Sequence, residues 1–294
     1  MRIVDPKNTP TKDFHQYMLG AVAPRPIAFA STVDKDGNPN LAPYSFFNAF
    51  SSNPPILVFS SNRRVADNTT KDTLHNIEET GEVVINVVNH SIVRQMAVSS
   101  ISFPTGISEF EKSGLTPVES DLVKPFRVKE SPVQMECKVR DIITLGDEGG
   151  AGHLILCDVV RMHIDETILD GDRIDPHKID LMGRMGRAYY VRASGDAIQT
   201  IVQSVMEITI GYDQLPEGIR NSTILTGNNL GQLAGMSALP ADEAVDTIKM
   251  DEKVAGLLTG DGVKAKLHEY AKACLDKGDQ RELAMKVLLL AERL

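Results

Sequence analysis

Two hydroxyls, an amide and two guanidiniums stand in a row at Ser60-Ser61-Asn62-Arg63-Arg64, and Lys71-Asp72-Thr73 follows a few residues later. Cations and hydroxyls in such company suit an anion, a phosphate above all, because charge-assisted hydrogen bonds are the strong ones. Lys71-Asp72-Thr73 also precedes Leu74 and Ile77 at helical spacing, and Gly81 suits the turn that ends a helix, so a helix is expected to start near the triplet. A helix N-terminus adds unpaired N–H groups and the positive end of the dipole. Each residue has a plainer use: Asp72 or Thr73 as a cap, Arg63 and Arg64 as solvated surface charges. Their co-occurrence in one short stretch favours the anion.

The elements that must position this set read as β-strands. Ile27 to Val33 alternates apolar and small residues and runs into Asp34-Lys35-Asp36-Gly37-Asn38, where Gly37 suits a hairpin turn. A second strand begins near Leu41. Pro43, Pro54 and Pro55 cannot donate to a ladder, so Tyr44 to Ser52 is expected as a strand end and loop at a sheet margin. Ile56 to Ser60 is a short apolar strand that delivers the Ser-Ser-Asn-Arg-Arg run. Further on, Glu136 to Thr144 and His153 to Asp165 read as two long strands joined by Gly146-Asp147-Glu148-Gly149-Gly150, a pair suited to closing a barrel. Val93 to Val98 reads as helical and Ser99 to Ser108 as a loop; the segment with Phe103, Pro104, Phe110 and Glu111 suits a ligand edge, with Phe103 and Phe110 equally suited to the core.

After Ser194-Gly195 the texture changes. Apolar residues fall at helical spacing over 197–210 and 241–294, as in Leu267, Ala271 and Leu275, then Leu283, Val287, Leu290 and Leu294. The segments Leu215 to Gly218 and Leu225 to Gly231 read as turns; the Gly-Asn-Asn-x-Gly loop is a weak ligand signal beside plain packing. Two domains follow: residues 1–195, mainly β, and residues 196–294, an α-helical C-terminal extension.

Several motifs in order resemble the flavin reductase-like FMN-binding proteins: Pro24 to Val33 (PRPIAFASTV), Asp34 to Asn48, Asn53 to Asn62 (NPPILVFSSN), Lys71 to Ile77, Thr80 to Asn86 (TGEVVIN), Ser108 to Pro117, Glu130 to Cys137 and Arg184 to Tyr190 (RMGRAYY). The resemblance runs from about residue 15 to about residue 192. It implies a mainly β fold, an FMN-binding split β-barrel with peripheral helices, working as a homodimer. It implies that Ser31 and Thr32 border the isoalloxazine ring, that Ser45, Phe46, Phe47 and Asn48 meet its ribityl and pyrimidine edges, and that Ser60, Ser61, Arg64, Lys71, Asp72 and Thr73 hold the phosphate. FMN is expected over FAD, with NAD(P)H as cosubstrate and the chain as an NAD(P)H:flavin oxidoreductase. The alternative is an FMN-binding electron-transfer protein without its own nicotinamide site. Because the cofactor carries the chemistry, no side chain is required as a nucleophile or strong base. Family members often carry Gly-Gly in the late motif, where this chain has Arg184-Met185-Gly186-Arg187.

His153 follows Ala151-Gly152 and partly resembles a Gly-Asp-His that meets the nicotinamide nucleotide in one branch of the family; a turn histidine is the plainer reading. His163 and His177 with Asp165, Asp170, Asp172 and Asp175 offer metal-ligand types, but the run reads better as a solvated loop, and no metal is expected. Cys137, Cys157 and Cys274 are widely spaced, without a C-x-x-C pair, and the first two read as buried strand residues.

With 294 residues, 42% of them hydrophobic, and a formal charge of −9, the chain reads as an acidic enzyme able to bury a substantial core. Its charge disfavours nucleic acid and anionic lipid as partners. No apolar run reaches membrane-spanning length and MRIVDPKNTP lacks a hydrophobic signal segment, so a cytoplasmic protein is expected.

Overall fold

The computed structural model describes residues 1–104, 106–201, 208–278 and 280–294. It divides into two compact units, Met1–Ile198 and Gln199–Leu294. In the first unit, in chain order, come α1 (Thr11–Ala21), β1 (Ala28–Val33), β2 (Pro39–Tyr44), β3 (Phe47–Ser52), β4 (Pro55–Asn62), α2 (Asp72–Thr80), β5 (Glu82–Val87), α3 (Val93–Val98), α4 (Glu109–Ser113), β6 (Pro117–Val118), β7 (Arg127–Val128), β8 (Val133–Thr144), β9 (Gly152–Ile164), β10 (Leu169–Asp170), β11 (Arg173–Ile174), α5 (Pro176–Ile179), β12 (Met182–Gly186) and β13 (Tyr189–Arg192).

Seven strands form one antiparallel sheet in the order β2-β1-β5-β8-β9-β4-β3. The β1–β2 turn is set locally: the Asp34 carboxylate accepts the Asp36 and Asn38 N–H groups at 2.9 and 2.8 Å, and Gly37 takes φ 87°. The sheet curls around Ala28, Ala30, Tyr44, Phe59, Val83, Ile85, Met135, Cys137, Ile155 and Cys157, with Leu74 and Ile77 of α2 closing one end. Both cysteines lie in this interior, and burial pushes the Cys137 thiol up to about 12.

The long β8–β9 pair does not close the barrel. β2 and β3 are consecutive strands at opposite ends of the ladder, joined through Ser45 and Phe46, and no ladder connects them. Pro39 and Pro43 remove donors from β2, and β3 carries a bulge between Ala49 and Ser51, so neither edge offers a continuous row of partners. Residues 47–52, expected as a loop, are that edge strand. The run after β9 is likewise more ordered than a solvated loop, since it contains the β10–β11 hairpin and α5.

Glu82, Asn86 and Glu136 on the outer face of the sheet hold segment 119–128 against it. Glu136 accepts the Asp121 and Leu122 N–H groups at 3.0 and 2.6 Å, Glu82 accepts that of Lys124 at 2.7 Å, and Asn86 accepts that of Val128 at 2.9 Å.

The second unit contains α6 (Glu217–Arg220), α7 (Gly227–Ala234), α8 (Asp242–Thr247), α9 (Glu252–Leu257), α10 (Val263–Asp276) and α11 (Arg281–Glu292). Leu267, Ala271 and Leu275 line the buried face of α10, as their spacing predicts. On α11 burial extends beyond Val287 and Leu290 to Ala284, Met285, Leu288 and Ala291, while Leu294 is exposed. The Gly-Asn-Asn-x-Gly segment is not a loop: it is the first turn of α7, because Thr226 and Asn229 form a reciprocal capping box. Of the helix expected over 197–210, residues 202–207 lie outside the described set, and 199–201 and 208–210 are not helical.

Candidate functional site

Strand alternation decides which residues meet. Tyr44 and Phe59 face the barrel interior with ring centroids 5.2 Å apart, so Ser61, two residues beyond Phe59, shares that face and Ser60 does not. Ala28 and Ala30 likewise put Thr32 inside and Ser31 outside. The Ser60 hydroxyl donates to Asn62 Oδ1 at 2.8 Å.

The chain then reaches α2 through a loop tied by its own arginines. Arg63 donates to the Asn68 side chain and carbonyl, both at 2.7 Å, which ties it to the loop. Arg64 donates to Thr69 Oγ1 and the Thr70 carbonyl at 2.9 and 2.6 Å and stays half-buried. Lys71 is the N-cap of α2 and supplies no side-chain cap; neither Asp72 nor Thr73 occupies that position. Its ammonium lies 4.7 Å from the centre of the Tyr44 ring. Burial, and then the Arg64 charge, hold Lys71 below the ordinary lysine value. Among the described residues neither Arg64 nor Lys71 has a carboxylate partner.

Beneath these cations lies a polar plug inside the barrel end. Asn40 donates to Thr32 and Thr73, both at 2.9 Å, and Asn76 donates to Thr32 at 3.1 Å, fastening α2 to β1 and β2. Removing the Thr32 hydroxyl in Thr32→Val should therefore destabilise the first unit by about 2 kcal/mol, because the buried Asn76 amide and the half-buried Asn40 amide lose their shared acceptor; urea unfolding of the variant measures it.

Among the described residues the Tyr44 hydroxyl, Ser61 Oγ and His153 Nε2 are buried without a hydrogen-bond partner. Burial, opposed by the Thr73 and Ser61 hydroxyls, pushes the Tyr44 phenol up to about 12. His153 is not a turn residue: it lies in β9 opposite Ser61, 6% exposed, with Nδ1 3.2 Å from Thr144 Oγ1.

The turn from β2 to β3 is fastened alongside, since the Ser60 N–H donates to the Phe46 carbonyl at 2.8 Å. Ser45 and Phe46 are half-buried, Phe47 packs against the barrel core, and Asn48 is exposed. Arg25 reaches this turn with its guanidinium 5.9 Å from the Phe46 ring centre and Nε 3.5 Å from Ser45 Oγ. The structure thus gathers Thr32, Ser61, Arg64, Lys71, Asp72 and Thr73 at one barrel end, keeps Ser45 and Phe46 beside it, and turns the Ser31 and Ser60 side chains to the outer face. Phe110 is core, and Phe103 is half-buried.

Tyr44, Asn40, Asn76 and Arg25 escaped the sequence reading, although the two-residue period from Ala28 and Ala30 to their β2 partners carried a signal for the first two. Glu109 escaped it as well; it accepts the Leu41 N–H at 3.1 Å, and burial, with Asp72 a lesser cause, raises its carboxyl.

Asp121, Glu136 and His163 bring three potential metal-ligating atoms within 4.8 Å of one another. They are already engaged: His163 Nε2 donates to Glu136 at 2.6 Å and Arg161 donates to Asp121 at 2.6 Å. Asp165 and Asp175 instead accept the backbone N–H groups of Thr167 and His177.

A flavin mononucleotide needs cations and N–H groups for its phosphate and an apolar wall beside polar edges for its ring. Arg64, Lys71 and the first N–H groups of α2 meet the first need, and Phe46 beside Ser45 meets the second. Among the described residues no helix is long and apolar enough to cross a membrane.

The model of the flavin reductase like domain matches residues 19–177. An uncharacterized protein of Aquifex aeolicus is 39% identical over 191 residues, covering 65% of this chain and 95% of its own. The crystal structure of nitrilotriacetate monooxygenase component B from Bacillus cereus is 32% identical with a TM-score of 0.64, covering 68% of this chain and 98% of that one. A protein with a split barrel domain from Shewanella frigidimarina is 25% identical with a TM-score of 0.58, covering 67% and 96%.

Proposed function

The chain belongs to the flavin reductase-like family, and from that premise we propose that it is an FMN-dependent oxidoreductase of the NAD(P)H:flavin reductase type, acting in the cytoplasm as a homodimer. The observation that carries the reading is the pair Arg64 and Lys71, whose charges act on each other at the N-terminus of α2 and which, among the described residues, have no ion pair with a carboxylate. Two like charges in a half-buried place repel each other and lose hydration, and a dianionic phosphate offsets both costs.

In this reading Arg64, Lys71 and Thr73 hold the phosphate of FMN, with Ser60, Ser61 and Asp72 at the same end. The turn from Ser45 to Asn48 lies along the ribityl chain and pyrimidine edge, and Ser31 and Thr32 contribute backbone to the ring border. When bound, the flavin supplies the hydride-accepting chemistry. The protein's part is to fix the phosphate, present Phe46 as an apolar wall and limit water at one face. Residues 1–195 form the FMN-binding domain and 196–294 a helical extension. Val160, Met162 and Ile164 expose alternate positions of β9 at 40%, 48% and 38%, an apolar row suited to a second copy.

One observation favours the second reading, an FMN-binding electron carrier without a nicotinamide site: His153 is enclosed beside Ser61 rather than presented at a turn. The visible spectrum of the FMN-reconstituted protein separates the two. Bleaching on anaerobic addition of NADH or NADPH is the expected result. A protein that stays yellow until dithionite is added is an electron carrier, and one that takes up no FMN overturns both readings.

A further inference from the structure

A second set of unneutralised cations lies across the Phe46 turn. Arg25 is 5% exposed, and its backbone exchanges hydrogen bonds with Arg184 in both directions at 2.9 Å, an isolated bridge that makes the two residues backbone neighbours. Nη1 of Arg25 serves the Leu19 and Val22 carbonyls at the end of α1, and among the described residues its Nη2 has no partner. Arg184 stacks 4.5 Å from the centre of the Tyr190 ring and donates to the Arg187 carbonyl. Arg187 itself is exposed, without an ion pair or side-chain hydrogen bond among the described residues.

The backbone at Arg187 adds a second argument. Its φ is 47°, in the left-handed region that favours glycine, immediately after Gly186 at 123°. An arginine here accepts strain at a turn whose carbonyl is held by the Arg184 guanidinium, which joins its backbone to the Arg25–Arg184 pair. Desolvation and the Arg184 charge both act against the charged form of Arg25, and among the described residues no carboxylate compensates them. An incoming polyanion relieves that repulsion, and stacked, planar guanidiniums suit phosphate recognition.

We propose that Arg25, Arg184 and Arg187 form the phosphate subsite for the nicotinamide nucleotide, with Arg187 giving preference to the nucleotide that carries a 2′-phosphate. The assignment rests on the flavin reductase reading, in which the single phosphate of FMN is already taken by Arg64 and Lys71. Contact of Arg25 with Phe46 and Ser45 places the subsite beside the turn assigned to the flavin. The phosphate of the adenylate half of FAD shares this chemistry, so the test separates the two sources.

The experiment is calorimetric titration of 2′-phospho-ADP-ribose, ADP-ribose and FAD into the protein and into Arg184→Gln and Arg187→Gly. Neither ribose probe can reduce a flavin, so binding is read without turnover. Glycine suits the backbone at 187, and Arg184→Lys serves as the charge-retaining control for folding. The wild-type protein should bind 2′-phospho-ADP-ribose about tenfold more tightly than ADP-ribose. Arg187→Gly should abolish that preference, and Arg184→Gln should weaken both ribose probes by about tenfold. FMN affinity should be unchanged throughout. Unaltered affinity for the ribose probes in both variants overturns the proposal, as does a loss confined to FAD. A wild-type protein that binds the probes but no FMN removes the flavin reading and leaves the subsite standing.

Discussion

Alanine at Lys71 or at Arg64 is expected to weaken FMN by roughly tenfold to a hundredfold, since a hydrogen bond to a charged group contributes about 1.5–3 kcal/mol. The double variant should lose more than the sum of the two, because both cations face one anion and in each single variant the remaining one partly compensates. Riboflavin supplies the control: it has the same ring and ribityl chain without the phosphate, so its affinity should hardly change. Titration followed by flavin fluorescence reads both ligands, and raising the salt concentration should erode FMN affinity in the wild type more than in the variants. Unchanged FMN binding in both single variants, or an equal loss for riboflavin, removes the phosphate from this end of the barrel. The prediction is sharpened by what lies underneath. Lys71 sits over the Tyr44 ring and Thr73 is held by Asn40, so truncating Lys71 removes a charge without loosening the start of α2.

Local chemistry was readable wherever one residue settles one bond. Asp34 and Gly37 specify the β1–β2 turn, and Gly81 ends α2 at φ 68°, the left-handed cap expected of it. The run His153 to Asp165 and the glycine-rich turn before it likewise announced β9 and its hairpin with β8. Misreadings arose where the partner is distant in sequence. Residues 47–52 have a loop's composition and become a strand only because β4 folds back on them. Asn229 reads as a turn residue until Thr226 and Asp276 are seen to hold it. At the candidate site, residue types and order were legible while side-chain direction was not fully used. The two-residue period that separates Ser60 from Ser61, and Ser31 from Thr32, was present in the sequence. The contacts of Tyr44 with Lys71 and of Arg25 with Phe46 join segments that only the curled sheet brings together.

Glu136 is where the fold itself should be most sensitive to a single change. Its side chain is fully buried, yet it accepts two backbone N–H groups from segment 119–128 and the ring N–H of His163. Glu136→Ala strands all three donors at once, and breaking a buried charged pair in this way costs about 3–5 kcal/mol. For a unit of this size the melting temperature should fall by on the order of 10 °C. The acid limb supplies a second readout that does not depend on the alanine variant folding. Burial alone would raise the Glu136 carboxyl, but the hydrogen bonds from Asp121, His163 and Leu122 together outweigh it and hold it below the ordinary value of 4.5. A carboxylate lowered by folding contributes stability that is present above its unfolded value and is lost as pH falls through its folded one. The wild type should therefore lose stability as the pH drops below about 4.5, and Glu136→Gln, which cannot titrate, should lack that portion of the slope. An alanine variant that melts with the wild type, or a glutamine variant with the full acid slope, would show that segment 119–128 is held by the Glu82 and Asn86 contacts instead.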